Sequence, residues 1–368
     1  MSYKISILGI RGIPARYGGF ETFAEHLACF LADKGWEVTV YCQEDSGSAI
    51  WESTWQGIRR VHVPISVSGS LGTIVFDGKA VFHALSQEGL FLTLGYNTAI
   101  FSALHRLKGQ VNIFNMDGVE WRRAKWGVLA KTWLRINERI ACWVGNHLVA
   151  DHPEIKKHLL PQVDSEKITM IPYGGQKVES AHADLLEPYG VTSNHFSLVV
   201  ARPEPENSLL EIVQAFSAFH RNHHLVVLGN LLPDDNSYHN EVISVASDEV
   251  LFLGGIYDTD IVSCLRFHSR FYVHGHQVGG TNPSLVEALG AGCAVLAHDN
   301  VYTRWVAGSA AMYFDGAASL ADLFDNLLPA NDKILEMKTA SRDRFDQQFT
   351  WPKVLDSYHE LLINYYPL

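Results

Sequence analysis

The chain has 368 residues, which is enough for two domains of ordinary size. Apolar residues make up 47% and charged residues 19%, so the composition supports two buried cores and excludes a disordered chain. The formal net charge of -11 argues against a nucleic-acid partner, because nucleic-acid-binding proteins usually present a basic face.

The first half alternates short apolar runs with amphipathic stretches. Residues 5–9 form a predicted strand, and apolar residues then recur at helical spacing from Phe20 to Leu31. Gly35 ends that helix before a second strand at residues 38–42. Further strands are predicted at 91–94, 111–114, 148–150 and 168–171. This rhythm predicts a parallel sheet with helices on both faces.

The same pattern restarts after a polar stretch at residues 176–195, which separates a first domain at 1–176 from a second at 190–348. Strands are predicted at 197–201, 225–229, 250–253, 271–274 and 294–297, with the clearest helices at 207–219 and 283–289. A final helix at 351–365 has an apolar stripe, and we expect it to dock back onto the first domain.

Five cysteines are scattered along the chain without a C-x-x-C pair. We expect buried thiols in a reducing compartment, without a metal or redox role. They are Cys29, Cys42, Cys142, Cys264 and Cys293. The first residues lead directly into a strand without a signal-peptide pattern, and the longest apolar runs fall far short of the ~18–20 residues of a membrane helix. These features predict a cytoplasmic protein.

A glycine-rich loop connects the first strand to the first helix. Such a loop lets the backbone approach a ligand, and the following helix N-terminus offers N–H groups to an anion. Arg11 and Arg16 add positive charge. The strict G-x-G-x-x-G spacing is absent and no acidic residue closes the second strand, which weakens an NAD-binding interpretation. An anion site and a simple turn both remain open. The glycines are Gly9, Gly12, Gly18 and Gly19.

A second strand–loop–helix segment spans residues 273–290. Here a loop of small residues precedes Pro283 in the first turn of a helix, which makes a second N-terminus able to accept an anion. Glu287, one turn further on, either accepts two hydrogen bonds from a ribose diol or is a solvated helix residue. His274 and His276 either bind a sugar or phosphate or are packed residues, and their surroundings do not predict a metal site.

These motifs resemble glycosyltransferases of the GT-B fold, family 4, and within it the rhamnosyltransferase-like branch. The resemblance is carried by residues 11–22, 115–121 and 274–288, and residues 171–175 resemble the family's interdomain segment. It covers essentially the whole chain. It implies an α/β protein with two Rossmann-like, doubly wound parallel-sheet domains facing a cleft, the acceptor on the first domain and the donor mainly on the second.

The resemblance implies a hexosyltransferase that moves a sugar from a nucleoside diphosphate donor to a saccharide or lipid-linked acceptor in surface polysaccharide synthesis. It also implies that the anomeric configuration is retained and that no metal or other cofactor is needed. By analogy with the branch, the sugar is L-rhamnose and the donor is dTDP-rhamnose.

Carried over residue by residue, the resemblance assigns a donor site. Glu287 matches the second glutamate of an E-x7-E motif that holds the ribose, and Arg202 matches an arginine on the donor phosphate. Gly255 and Ile256 fall where the base is usually held. The full expected donor set is Arg11, Gly18, Gly19, Arg202, Gly255, Ile256, His274, Gly280, Thr281, Asn282 and Glu287.

Three positions depart from the family pattern. Gly279 stands in place of the first glutamate of the E-x7-E motif, and Asn207 or Ser208 stands where a phosphate-binding lysine is expected. The family's histidine after the central strand of the first domain is absent, with Asp117 as the nearest polar candidate. We expect His274, His276 or Arg11 to compensate.

The predicted chemistry centres on negative charge that develops on the departing diphosphate. Arg202, Arg11 and two helix N-termini can stabilise that charge. In a retaining mechanism the departing phosphate can accept the acceptor proton, so a protein base is optional. Asp117 either orients the acceptor or sugar, or caps a turn. The predicted catalytic residues are Asp117, Arg202 and His276.

From Trp121 to Arg135, basic side chains alternate with tryptophans in an otherwise acidic protein. This pattern favours an anionic lipid surface on the inner face of the plasma membrane, reached by peripheral association. A solvated helix face with inward-packed tryptophans is the alternative. Glu120, Trp121 and Arg122 are the predicted acceptor-side residues.

Two other functions stay open. A nucleotide-sugar 2-epimerase-like isomerase shares the GT-B architecture and would consume donor without an acceptor. A non-catalytic nucleotide-sugar-binding subunit would bind donor without turnover, and the departures at Gly279 and Asn207 are consistent with it. A nicotinamide oxidoreductase has the least support.

Overall fold

The computed structural model describes residues 2–16, 18–123 and 125–367. Tyr17, within the predicted glycine-rich loop, and Ala124, within the basic and aromatic segment, lie outside the described residues, as do Met1 and Leu368. The chain divides into two compact units, Met1–Pro172 with Trp351–Leu368, and Tyr173–Thr350.

The first unit contains an eight-stranded sheet in the order β3-β4-β2-β1-β5-β6-β7-β8. Neighbouring strands are parallel except for the antiparallel pair β3 and β4. The strands are β1 Lys4–Leu8, β2 Glu37–Glu44, β3 Trp51–Trp55, β4 Ile58–Pro64, β5 Leu90–Leu94, β6 Asn112–Asn115, β7 His147–Ala150 and β8 Ile168–Met170. The helices between them are α1 Gly19–Asp33, α2 Gly69–Ala84, α3 Ala99–Leu107, α4 Val128–Val144 and α5 Pro153–Leu159.

The second unit contains a six-stranded parallel sheet in the order β11-β10-β9-β12-β13-β14. The strands are β9 Phe196–Val200, β10 His224–Leu228, β11 Val250–Gly254, β12 Tyr272–His274, β13 Val295–His298 and β14 Ala311–Phe314. The helices are α6 Leu209–Ser217, α7 Ser237–Ser244, α8 Thr259–His268, α9 Pro283–Gly290, α10 Val301–Ala307, α11 Ala317–Leu327 and α12 Asn331–Gln348.

The core of the second unit lies on both faces of its sheet, because successive strand residues point to opposite faces. Leu198 packs with Leu285 and Leu289 of α9 on one face. Val199, the next residue of β9, packs with Phe216 of α6 on the other. Covering helices on both faces explain why the strands read as continuous apolar runs in the sequence.

The last helix, α13 Trp351–Tyr365, belongs to the first unit. Its apolar stripe covers α1, where Tyr358 lies 4.7 Å from Phe23 between ring centroids. The buried hydroxyl of Tyr358 accepts a hydrogen bond from the side-chain amide of Asn115, at 2.8 Å. This helix therefore completes the core beside the carboxyl end of β6.

In both sheets the first strand lies where the chain order reverses. The strand β1 lies between β2 and β5, and β9 lies between β10 and β12. Loops that leave the carboxyl ends of such neighbouring strands run in opposite directions and leave a crevice, which is where open α/β sheets bind ligands. Each unit therefore has one position that its topology favours for a site.

The predicted strands are confirmed within one or two residues, whereas β3, β4 and β14 were not predicted. The predicted helix at 207–219 begins late, at Leu209, because Ser208 has a left-handed φ of 52°. Four cysteines are buried free thiols, but the prediction was wrong for Cys29, which is only half-buried, its Sγ 3.4 Å from Oε1 of Gln56. Across the described residues, no helix combines the length and apolar character that a bilayer crossing requires.

Candidate functional site

The loop between β12 and α9 carries most residues predicted to contact a donor. Gly275 is required there because a Cβ would collide with the backbone carbonyl of Asn207. The backbone N–H of Gln277 donates to the carbonyl of Glu206 at 3.0 Å, and its side-chain amide donates to Oγ of Ser208 at 2.9 Å. These contacts hold the loop against the connection from β9 to α6.

Asn207 and Ser208, which stand where a lysine is expected, have structural partners. Asn207 is buried, and its side-chain amide donates to the carbonyl of Arg202 at 2.8 Å. Ser208 accepts the bond from Gln277. Both side chains join two loops and present no charge, so this position does not replace the expected lysine.

Arg202 lies two residues beyond β9, at the point where the order of the second sheet reverses. Its side chain is exposed, and the guanidinium makes no ion pair with the residues that the structure describes. An exposed, unneutralised cation at this position is suited to an anionic ligand.

The N-terminus of α9 is ordered by its own cap. Oδ1 of Asn282 accepts the backbone N–H of Ser284 at 3.0 Å, and Pro283 occupies the first helical position. Thr281 is buried, whereas Gly280 is partly exposed. The cap uses one of the free N–H groups at this end and leaves the preceding loop as the place where a phosphate can approach.

Gly279, in place of the expected glutamate, has a φ of 148°. A Cβ at this position would meet no heavy atom within 4 Å. The space therefore admits a side chain, and it is the backbone conformation that favours glycine.

Glu287 on α9 forms an ion pair with Arg266 at the end of α8, with an Nη2–Oε2 distance of 2.6 Å. The side chain of Arg266 is 8% exposed and that of Glu287 is 35% exposed. Burial acts to lower the pKa of Arg266, but the Glu287 carboxylate, together with Tyr272 and Cys293, raises it above its usual value. Glu287 thus keeps an accessible carboxylate edge in an orientation set by a buried cation.

His274 and His276 stack face to face, with ring centroids 4.4 Å apart and planes 10° apart. His274 is 1% exposed, and neither of its ring nitrogens has a hydrogen-bond partner. Burial, with smaller effects from His276 and His298, lowers the pKa of His274 well below its usual value. His274 is therefore a packed residue that retains unused hydrogen-bonding capacity. The described residues hold no cluster of three or more metal-ligand side chains.

Gly255 and Ile256 follow β11, at the edge of the second sheet. Gly255 is exposed, while Ile256 packs partly into the core. Tyr257 was not among the predicted site residues. It is 75% exposed, and its hydroxyl lies 3.4 Å from the side-chain nitrogen of Asn230. The sequence signal that could have identified Tyr257 is an aromatic residue directly after the predicted base-binding pair.

In the first unit, glutamates of α1 hold the glycine-rich loop. Oε1 of Glu21 accepts the backbone N–H of Arg11 at 3.2 Å, and Oε2 of Glu25 accepts that of Ala15 at 2.5 Å. Gly18 is the N-cap of α1 in an extended conformation, and Gly19 is the first helical residue. The carboxylate of Glu21 in the first turn was not foreseen, and it already interacts favourably with this helix N-terminus.

Asp117 lies in the loop after β6, with a left-handed φ of 52°. Its backbone N–H donates to Oδ1 of Asn115 at 3.0 Å. Burial of the carboxyl, and to a smaller extent the nearby Glu120, raises the pKa of Asp117. A non-glycine residue held in this conformation at the carboxyl edge of a sheet marks a strained loop, a feature common at functional sites.

The predicted acceptor-side residues are mostly engaged within the unit. Glu120 forms ion pairs with Arg123 at 3.0 Å and Lys125 at 3.2 Å. The indole N–H of Trp121 donates to the buried Glu138 at 2.9 Å. Arg122 is exposed, its guanidinium carbon 5.3 Å from the centre of the Trp121 ring. Of these three residues, only Arg122 is exposed.

The tryptophans of the basic and aromatic segment point their N–H groups into the unit. Trp126 donates to Glu120 at 3.0 Å and Trp133 donates to the carbonyl of Asn97 at 2.9 Å. The structure thus agrees with the alternative of inward-packed tryptophans for Trp121, Trp126 and Trp133. A different set of side chains forms the exposed face of α4: Val128, Leu129, Arg135, Ile136, Arg139 and Trp143.

Comparison with known proteins shows a matching family model and similar solved structures. Residues 2–176 match a family model described as a domain of unknown function, DUF1972. No curated protein matches the chain. Sucrose-phosphate synthase from Thermosynechococcus elongatus is similar in structure, with a TM-score of 0.82 and 16% identity over 98% of both chains.

Two further solved structures are similar over nearly the whole chain. HepE from Anabaena in complex with UDP-glucose has a TM-score of 0.76 and 14% identity, over 98% of this chain and 99% of that one. An α,α-trehalose-phosphate synthase (UDP-forming) from Burkholderia xenovorans has a TM-score of 0.74 and 11% identity, over 98% of this chain and 100% of that one. The fold is therefore GT-B, the two-domain parallel α/β fold of these glycosyltransferases, as the sequence predicted.

Proposed function

We propose that the chain is a glycosyltransferase that moves a sugar from a nucleoside diphosphate donor to a saccharide or lipid-linked acceptor. The observation that carries the proposal is the GT-B fold, shared over 98% of the chain with sucrose-phosphate synthase and with HepE, which was solved with UDP and with UDP-glucose. Fold alone does not define an activity, so the proposal also draws on the residues at the edge of the second sheet.

The donor site we propose lies at the carboxyl edge of the second sheet. Arg202 after β9 and the loop before α9 are suited to the diphosphate, because charge develops there as the anomeric bond breaks. The accessible edge of the Glu287 carboxylate is suited to the hydroxyls of the nucleotide's pentose, which are the 2′ and 3′ hydroxyls in UDP and the 3′ hydroxyl in dTDP. His274 has two ring nitrogens free to bond to a sugar or phosphate. Arginine and backbone N–H groups would supply the positive charge, without a metal ion.

The finer identity of the reaction is part of the proposal. We propose L-rhamnose as the sugar, dTDP-rhamnose as the donor and surface polysaccharide synthesis as the setting, in family 4 and with retention of configuration. These choices derive from the motifs at residues 11–22, 115–121 and 274–288. Asp117, in its strained loop, would orient the acceptor or the transferred sugar.

Titration calorimetry with nucleotides tests the donor class. The full chain should bind dTDP or UDP with the same affinity in EDTA and in Mg²⁺, and it should not bind NAD. R202Q should weaken nucleotide binding at least about tenfold, since a charged hydrogen bond contributes about 1.5–3 kcal/mol. K333Q, which removes a charge from an exposed pair on α12, is the matched control and should bind like the wild type. Tight binding of NAD alone would overturn the proposal.

Product analysis separates the three candidate functions. A transferase forms a glycosylated acceptor together with nucleoside diphosphate. Conversion of the donor to its epimer without an acceptor would establish the isomerase instead, and binding without turnover against a broad acceptor panel would establish a binding subunit.

We also propose peripheral association with an anionic membrane through the exposed face of α4. Leu129, Ile136 and Trp143 recur every seven residues, or two helical turns, and therefore share one side of the helix. Leu129 is 88% exposed and Trp143 is 61% exposed. Arg139 and Arg135 are also exposed, and they lie beside this apolar stripe. Apolar side chains flanked by arginines are suited to a surface of anionic headgroups.

A further inference from the structure

A small polar cavity opens in the first unit at the carboxyl ends of β1 and β5, where the order of the sheet reverses. Its volume is about 50 Å³. A cavity needs about 10–15 Å³ to hold one water, so this one has room for a small polar group such as a hydroxyl or hydroxymethyl group. Side chains that line it with polar atoms include Thr73, Asp77, Asn97, Thr98 and Ser102.

Among the described residues that line the cavity, Asp77 of α2 is the one ionisable residue. One carboxylate oxygen, Oδ2, accepts the hydroxyl of Thr98 at 2.7 Å. Burial raises the pKa of Asp77 to about 6, and the bond from Thr98 offsets this only in part. No cation of the described chain pairs with it. Burial of a carboxylate without a counter-charge is costly.

The loop at residues 95–98, which contributes to the lining of the cavity, is held by three hydrogen bonds. The hydroxyl of Tyr96 accepts the backbone N–H of Glu120 at 2.9 Å. The carbonyl of Asn97 accepts the indole N–H of Trp133 at 2.9 Å. Thr98 donates to Asp77. A wall ordered in advance lowers the entropic cost of binding a ligand.

Two glycines allow the ends of β1 and β5 to approach each other closely. Gly9 follows β1 with a φ of 84°, and a Cβ there would collide with the carbonyl of Leu94 at the end of β5. Gly95 follows with a φ of 86°. Both glycines allow the loops to leave the sheet at once, so the ends of β1 and β5 stay close together beside the cavity.

We propose that this cavity is a subsite for a single hydroxyl-bearing group of an acceptor saccharide, with Asp77 accepting the hydrogen bond. The hydroxyl or hydroxymethyl group enters the cavity while the sugar ring lies across its mouth. The carboxylate repels phosphate, so this subsite takes the neutral sugar of an acceptor and not a diphosphate that carries it. The inference rests on the proposed function, since only a transferase has an acceptor. The binding of a saccharide can nevertheless be measured independently.

Saturation-transfer NMR on the full chain tests the subsite without knowledge of the natural acceptor. The probes are the methyl glycosides of glucose, galactose and rhamnose, recorded with and without dTDP. At least one should receive saturation from the wild type. D77N, which keeps the bond from Thr98 and removes the charge, should weaken its binding about tenfold, in line with the loss of a charged hydrogen bond. E88Q, which neutralises the carboxylate of an exposed pair with Lys4 outside the cavity, is the matched control and should bind like the wild type.

The outcomes separate the subsite from the proposed function. Equal binding by the wild type and D77N, or no binding of any glycoside by the wild type, would overturn the subsite. A glycoside signal that depends on Asp77 in a chain that binds no nucleotide would support the subsite and reject the transferase. D77N should leave the affinity for dTDP unchanged, and in turnover it should raise the acceptor KM while the donor KM stays constant. A melting temperature no lower than that of the wild type excludes unfolding as the cause.

Discussion

The guanidinium of Arg266 and the carboxylate of Glu287 form a buried contact of 2.6 Å between two helices of the second unit. Nε of Arg266 has no hydrogen-bond partner, so the charge of this side chain is compensated mainly by Glu287. Glu287 therefore has a structural role in addition to its proposed contact with ribose. The two roles can be separated by experiment.

Replacement of Glu287 should destabilise the protein. E287A leaves a buried cation unpaired and should lower the free energy of unfolding by about 3 kcal/mol, near the low end for buried pairs because Glu287 is partly exposed. Urea unfolding gives this value. The control E336A removes the acid of an exposed pair with Lys333 and should cost less than about 1 kcal/mol. Equal effects of the two substitutions would contradict a structural role for Glu287.

The same pair should control recognition of the nucleotide's pentose. The wild type should bind dTDP about tenfold more tightly than 2′,3′-dideoxythymidine diphosphate, because the analogue lacks the 3′ hydroxyl that donates to the carboxylate. E287Q should reduce this preference, and so should R266K, which keeps the charge but loses the planar fork that orients the carboxylate. Titration calorimetry measures the ratio. An unchanged ratio in R266K would limit Arg266 to a stabilising role.

Asp77 should make the protein less stable as the pH rises. Its folded-state pKa of about 6 lies above the ordinary 3.8, so the folded state binds the proton more tightly than the unfolded chain does. Stability from this group is full below about pH 4 and is lost as the pH rises towards 6. At 1.36 kcal/mol per pKa unit, the loss reaches about 3 kcal/mol. Urea unfolding of D77N and wild type should therefore diverge between pH 4 and pH 7, with D77N the more stable. Parallel curves would show that Asp77 has an ordinary pKa.

Substitution of Asp117 should separate stability from activity. D117G relieves a left-handed conformation that costs a non-glycine residue about 1–2 kcal/mol, and it removes a buried carboxyl. Its melting temperature should equal or exceed that of the wild type, while the transfer rate falls about 100-fold, as expected when a positioning group is lost. D117N, which tolerates the same backbone, should behave similarly. Full transfer activity in either variant would remove Asp117 from the mechanism.

The exposed face of α4 should bind anionic vesicles in a salt-sensitive way. In co-sedimentation at low salt, the protein should pellet with phosphatidylglycerol vesicles and not with phosphatidylcholine vesicles. R135E/R139E should weaken binding at least about tenfold, since each basic residue near the surface contributes about 1 kcal/mol. K333E changes charge elsewhere and is the control. If the wild type stays in the supernatant with both lipids, the surface has another role.

The local pattern of the sequence was sufficient for most strands and for the order of the two halves, because a buried parallel strand reads as a short apolar run. It was insufficient for β3, where Trp51–Trp55 is an edge strand with mostly exposed side chains and no apolar run. The strand β14 is also an edge strand, with two of its four residues only half-buried, and it was missed for a similar reason. An edge strand depends on a neighbour to pair with, which a local window does not contain.

For the candidate site, too, some features follow from the sequence alone and others only from the tertiary structure. The chain by itself determined the glycines, Arg202 and Glu287, because they stand at fixed offsets from strand ends and helix starts. Only the tertiary structure decided that Arg266, far from Glu287 in the chain, neutralises it, and that Asp77 of α2 meets Thr98 at a cavity between two strand ends. Periodicity and turn chemistry act over a few residues, whereas burial of a charge and its choice of partner depend on how distant helices pack onto one sheet.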